Sequence, residues 1–314
     1  MCKNPWTRRA LPILAAVITL TTQTASAWHD EGHYYAAVAA VKAMPEDVPA
    51  FFREGSATVG HSSIDPDAFK HRDMQHLNHC EAPEHYLDLE MLQGKPLPPL
   101  RYDYLKMCHE MDIDPTKAGV LPYSICEWTQ RLTIAFAEHR QYPDNPHIKA
   151  KCLVYAGVLS HYAADLHMPL HTSIHWDGRA VEGETYVGTG IHHKIDALPT
   201  KVPYNQLFAE PLPTALPSRD IFEFTIEELV KSNSLVDRVY ELEPQVPDQS
   251  DMSPLQGDVL AFTLSRHRAA ASFTADLFIS AWRNSGDVRM PQWLDRKVFD
   301  ETFDPAVVPQ QPGQ

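Results

Sequence analysis

Residues 148–166 read IKAKCLVYAGVLSHYAADL, and the rest of the chain is best read outward from their periodicity. Tyr155, Val158, Leu159 and Tyr162 fall at i, i+3, i+4 and i+7, one apolar stripe on a helical repeat, so an α-helix is expected here. The same period recurs over residues 31–44, 124–140, 191–198, 218–242 and 255–284. Pro45, Pro199 and Gly286 stand just past three of these segments, where helices commonly stop. Strand-like alternation is weak throughout and no internal repeat is visible. Proline-rich connectors lie at 96–99, 199–217 and 244–254. The expected fold class is therefore all-α, a multi-helix bundle with long loops.

Residues 1–27 read as a secretory leader and are set aside from the fold. Lys3, Arg8 and Arg9 form a basic start, residues 10–21 are mostly apolar, and Ala25-Ser26-Ala27 offers the small-x-small cleavage pattern. The apolar run is shorter than the ~20 residues a membrane helix needs, and no later segment reaches that length. The expectation is a secreted or periplasmic protein beginning at Trp28, with one domain over 28–300 and a disordered tail over 301–314. Three of the 27 Lys+Arg belong to the leader, so 24 remain against 41 Asp+Glu, a net charge of −17 with His neutral. Such a balance excludes simple electrostatic adsorption onto nucleic acid or anionic lipid. A phosphate substrate would need positive charge from elsewhere, and bound metal can supply it. Cys80, Cys108, Cys126 and Cys152 are an even set in an oxidising compartment, so disulfides are expected, with three possible full pairings.

The 17 histidines carry the chemistry. His161 and Asp165 are four apart and share one helix face. His171 follows six residues later, after Pro169 has broken the helix, and GIHHKID repeats the four-residue spacing with His192 and Asp196. Imidazole nitrogen and carboxylate oxygen suit zinc. One such pair is ordinarily a helix-surface hydrogen bond, whereas two pairs joined by a histidine after a helix break point to a metal. At the expected mature start, the Trp28 amine and carbonyl can chelate an ion through a five-membered ring, with His33 five positions on. In SIDPDAFKHRD and PEHYLDLE the selected pair is Asp67 and His85. Asp65 and Asp73 compete for the carboxylate role, and His71, His76 and His79 for the imidazole.

Taken in order, these motifs resemble the superfamily that joins zinc-dependent phospholipases C to the single-strand-specific nucleases of fungi and plants. The matching positions are Trp28 and His33, the Pro-Asp at Asp67, HYLD at His85, His-x3-Asp-x5-His at His161, Asp165 and His171, and His-x3-Asp at His192 and Asp196. The resemblance spans residues 28–196 and implies three zinc ions in a cleft of an all-α fold. Asp67, His85, His161 and Asp165 would hold one ion. Trp28, His33 and a bridging Asp165 would hold a second, and His171, His192 and Asp196 a third. Three dications against three carboxylates would leave a local charge of about +3 where a phosphate must sit.

The activity that the resemblance implies is hydrolysis of phosphoric esters by zinc-activated hydroxide. In it Asp67 orients the water or accepts its proton, and Lys70, three residues on, contacts the phosphate. Tyr86 is a candidate for stacking on a base. The expected substrate is single-stranded nucleic acid or a 3′-nucleotide, with a phospholipid, through phospholipase C activity, as the alternative. A non-catalytic zinc-binding protein is a third reading, disfavoured because histidine and aspartate interleave at helical spacing. The stretch SIHWDGRAVEGETYVGTGIHHKID lacks the Gly-Gly-Asn that the nucleases carry before their last histidine, which bears on substrate preference. Trp176 and Tyr186 in that stretch are candidates for lining the cleft.

Overall fold

Helix starts set by proline build the frame of the computed structural model, which describes residues 30–181, 185–218, 220–251 and 253–296. The leader, Trp28 and the tail over 301–314 lie outside the described residues. Helix α1 (Asp30–Lys42) is followed by the short α2 (Ala50–Arg53), α3 (Ser56–Ser62), α4 (Asp65–Phe69) and α5 (Gln75–Glu81). Next come α6 (Arg101–Glu110), α7 (Pro115–Ala118), and two long helices, α8 (Leu121–Gln141) and α9 (Pro146–Asp165). Then α10 (Ile191–Asp196), α11 (Tyr204–Leu207), α12 (Ile221–Asn233), α13 (Val236–Leu242) and α14 (Gly257–Asn284) complete the order. Among the described residues extended structure is confined to one bridge, between Leu87 and Gly119, and there is no sheet. The all-α expectation holds.

Helix α9 starts at Pro146, whose missing N–H costs nothing in a first turn. Asn145 caps it, accepting from the N–H groups of His147 and Ile148 at 2.9 and 3.3 Å. Every residue from Ala156 to Asp165 is buried, so the second half of α9 is enclosed on all sides. The helices around it are α8, α1, α3 and α14. Phe52, Phe136 and Phe278 meet edge to face in the main core, with ring centroids 5.1 and 5.5 Å apart. A second apolar cluster, including Met168, Leu170, Ile195, Leu198 and Val239, supports α10. The chain therefore ends its most enclosed helix on an aspartate, and seats its last His-x3-Asp pair on a second core.

Three sequence expectations change. The segment 218–242 is two helices, because the chain breaks at Ser234, whose hydroxyl donates to the Lys231 carbonyl at 2.7 Å in competition with the helix ladder. Helix α6 and the short helices between residues 50 and 81 carry no periodic stripe long enough to announce them. The cysteines form no disulfide. Cys108 and Cys152 are sealed separately in the core, Cys80 is exposed, and the four thiols sit on α6, α9, α5 and α8. Burial pushes the Cys126 and Cys152 thiols up to about 12.

Among the described residues no helix is long and apolar enough to cross a membrane.

Gly157 sets the distance between α3 and α9. A Cβ there would stand 2.5 Å from Ser62 Cβ and 2.7 Å from the Val59 carbonyl oxygen, so the two backbones meet where only glycine fits. That approach carries the Ser63 carbonyl to His161 Nδ1 at 2.7 Å. Gly157→Ala should therefore lower stability by about 1–3 kcal/mol, read as a drop in the denaturant midpoint. An unchanged midpoint would show that the contact yields without cost.

Candidate metal centre

Asp165 is the point on which the site converges. It closes α9, is fully buried, and turns its two oxygens to different neighbours. Oδ1 lies 3.5 Å from His33 Nε2, a side chain of α1. Oδ2 lies 3.0 Å from His85 Nδ1 and 3.4 Å from His161 Nε2. The His33 and His161 rings stack with centroids 3.9 Å apart. Asp67, on α4, reaches the same place, with Oδ1 3.8 Å from His161 Nε2. Across the cleft floor His171 Nε2 stands 2.9 Å from His192 Nε2, which is 3.1 Å from Asp196 Oδ2. His171 Nδ1 also lies 3.9 Å from Asp165 Oδ1.

Three groups of side chains thus offer ligand atoms within 4.8 Å of one another: His33, His161 and Asp165; Asp67, His85 and His161; His171, His192 and Asp196. The structure brings together eight of the nine residues expected to bind metal, and Trp28 lies outside the described residues. His161 enters two groups, where the resemblance gave the shared role to Asp165. Of the rivals, Asp73, His71, His76 and His79 are exposed and half-buried Asp65 joins none of the groups.

The donor set fits a metal. His161 Nδ1–H donates to the Ser63 carbonyl at 2.7 Å and His171 Nδ1–H to the His85 carbonyl at 2.8 Å, so each ring turns an Nε2 lone pair inward. Burial pushes His33 down to about 3 and His161 to about 4, and it also lowers His85, His171 and His192. All five are neutral imidazoles at neutral pH, the form that binds metal. Burial raises Asp165 to about 6 against the pull of His171 and His33. Asp196 is raised well above the usual carboxylate range by burial, then by Asp165 and Asp67. Neither Asp196 oxygen receives a hydrogen bond, although the side chain is fully buried. A buried carboxylate left so costs several kcal/mol, and a dication beside it reverses the balance.

Two of the three groups open onto a cleft of about 580 Å³, while His33, His161 and Asp165 are outside its lining. His85, His171 and His192 form part of its lining, with Tyr86, Trp176 and Tyr186. Trp176 and Tyr186 stack with ring centroids 5.7 Å apart and are each a little over one-third exposed. Tyr86 donates its hydroxyl to the Thr116 carbonyl at 2.6 Å, which leaves the ring to present. Lys70 lines the cleft too, but its Nζ is held on Asp67 Oδ1 at 2.6 Å, with His161 and Lys70 keeping that carboxyl low against its burial. The two residues expected to act separately on water and phosphate form an ion pair.

Sequence reading missed the acidic groups that hold this wall. Asp177 Oδ1 accepts from the His192 N–H at 3.2 Å, at the start of α10. Glu90 accepts from the Ser173 hydroxyl at 2.7 Å and the Ile174 N–H at 3.1 Å. Asp88 lines the cleft and is pushed up to about 7 by burial and then by Glu90. Their only signal in sequence is an acid near a histidine motif, which is common on any surface.

No known family model matches this chain, and no curated protein matches it. The site's own geometry carries the reading.

Asp165→Asn should remove the ions of the two groups that Asp165 faces and spare the one at His171, His192 and Asp196, as counted by elemental analysis after dialysis. An unchanged metal count would show that Asp165 joins no ion.

Proposed function

We propose that the chain is a zinc-dependent phosphoric ester hydrolase acting outside the cytoplasm, with single-stranded nucleic acid and 3′-nucleotides as its substrate class. The observation that carries this reading is the convergence of five neutral, buried histidines and three aspartates, of which His85, His171 and His192 line one open cleft. A protein with 41 Asp+Glu against 27 Lys+Arg has little charge of its own to hold a phosphodiester. Bound zinc supplies Lewis acidity and an activated water at neutral pH.

The chain's own residues do the rest. His33, His85, His161 and Asp165 hold the inner positions, and His171, His192 and Asp196 the outer one. Asp67 completes the inner group with His85 and His161, lies at hydrogen-bonding reach of Lys70, and takes the proton of the attacking water on its carboxylate. Lys70 leaves Asp67 for a non-bridging phosphate oxygen once that proton has neutralised the carboxylate. As the water oxygen bonds to phosphorus the ester P–O bond breaks, and the departing oxygen leaves on the side of His171, His192 and Asp196 and takes a proton from solvent. Tyr86 and the Trp176–Tyr186 stack give the cleft aromatic surfaces suited to an unstacked base, worth about 1–3 kcal/mol per base where stacking is made.

A side-by-side assay of the zinc-loaded protein on single-stranded DNA, RNA, 3′-nucleotides and phosphatidylcholine tests this. Hydrolysis of the nucleotide substrates, lost on chelation and restored by zinc, is expected. Turnover of phosphatidylcholine alone would make the chain a phospholipase C. Zinc binding with no hydrolysis of any of them would leave a non-catalytic zinc-binding protein.

A further inference from the structure

Glu81 belongs to none of the three groups, yet it is buried on the last turn of α5 directly behind His85. Its Oε1 stands 3.5 Å from His85 Nε2, and the hydroxyl of Tyr162 donates to the same oxygen. Tyr162 is itself buried on α9, next to His161, with its ring edge-on to His85 at a centroid distance of 5.5 Å. A tyrosine from the most enclosed helix thus holds the carboxylate in place.

The two nitrogens of His85 face different ways. Nδ1 points into the site, 3.0 Å from both Asp165 Oδ2 and His161 Nε2. Nε2 points away, is sealed from solvent, and meets no hydrogen-bond partner. Without metal, the single ring proton of neutral His85 can reside on Nδ1 and be donated to Asp165. When Nδ1 gives its lone pair to an ion, that proton must sit on Nε2 instead. A buried N–H there needs an acceptor, and the closing of a few tenths of an ångström makes Glu81 Oε1 one.

We infer that Glu81 is a positioning residue for the metal-loaded site: held by Tyr162, it accepts Nε2–H of His85 and so fixes the tautomer in which Nδ1 binds metal. This rests on the metal-centre reading proposed above. It assigns Glu81 a role in the loaded protein and little in the empty one, because the bond it makes exists only after the proton has moved. Partners of this kind behind a ligating histidine change metal affinity by about 10- to 100-fold.

The test is a zinc competition titration of the full chain against a chelator, run beside denaturation of the metal-free protein. Glu81→Gln should release one ion at a chelator strength about 10- to 100-fold lower than the wild type, while the remaining ions and the metal-free midpoint stay put. Tyr162→Phe, which frees the carboxylate to turn, should weaken the same ion by less and serves should Glu81→Gln fold poorly. Equal zinc affinity in wild type and both variants would overturn the role of Glu81 and leave the metal centre standing. A lowered metal-free midpoint with unchanged affinity would make Glu81 a fold residue and overturn it too. A wild-type protein that holds no zinc would overturn the metal centre and this inference with it.

Discussion

A carboxylate at the end of an enclosed helix is the constraint on which the rest of the structure turns. Asp165 has no exposed surface, and the side chains nearest to it are histidines that burial keeps neutral. An isolated carboxylate in that position costs several kcal/mol. The fold does not answer it with arginine or lysine. It surrounds the aspartate with imidazole lone pairs and further carboxylates, an arrangement that a bound cation would make favourable. The close approach at Gly157, the Ser63 carbonyl on His161 and the second core under α10 all serve to fix those lone pairs. Packing and electrostatics are coupled here: a core tight enough to orient the histidines is also what raises Asp165 and Asp196 so far from their ordinary range.

The same coupling would let an acidic protein take the anionic substrate proposed for it. Surface charge and site charge are separate quantities in it. Two lysines line the cleft, Lys70 and Lys117, and the one beside the metal groups, Lys70, is already tied to Asp67. The attraction for phosphate would arrive with the ions, and would be concentrated at the floor where the three groups meet. The aromatic side chains around the cleft then bear on what is attached to the phosphate.

Much of the fold was legible because α9, α8 and α14 are long enough for apolar residues to repeat several times on one face. The starts of α8 and α9 were set a few residues early by Pro122 and Pro146, which a stripe of apolar residues cannot show. The region between residues 50 and 81 was opaque for the opposite reason. Its helices are four to seven residues long and draw their stability from neighbours, not from a periodic face. The aspartates and histidines of the site were legible where spacing is local, as in His161 with Asp165 and His192 with Asp196. Asp67 and His85 could not be separated from their rivals by sequence, since only burial tells Asp67 from Asp73. The disulfides expected from an even cysteine count failed because cysteine pairing depends on distance, which the count does not contain. Glu81 and Asp177 were invisible because each acts through a second residue.

The most direct measurement is anomalous X-ray scattering at the zinc edge from crystals of the protein grown with zinc. The account predicts peaks beside Asp165 and His33, among Asp67, His85 and His161, and between His171, His192 and Asp196. Ordered crystals with these side chains in place and no anomalous density among them would contradict it.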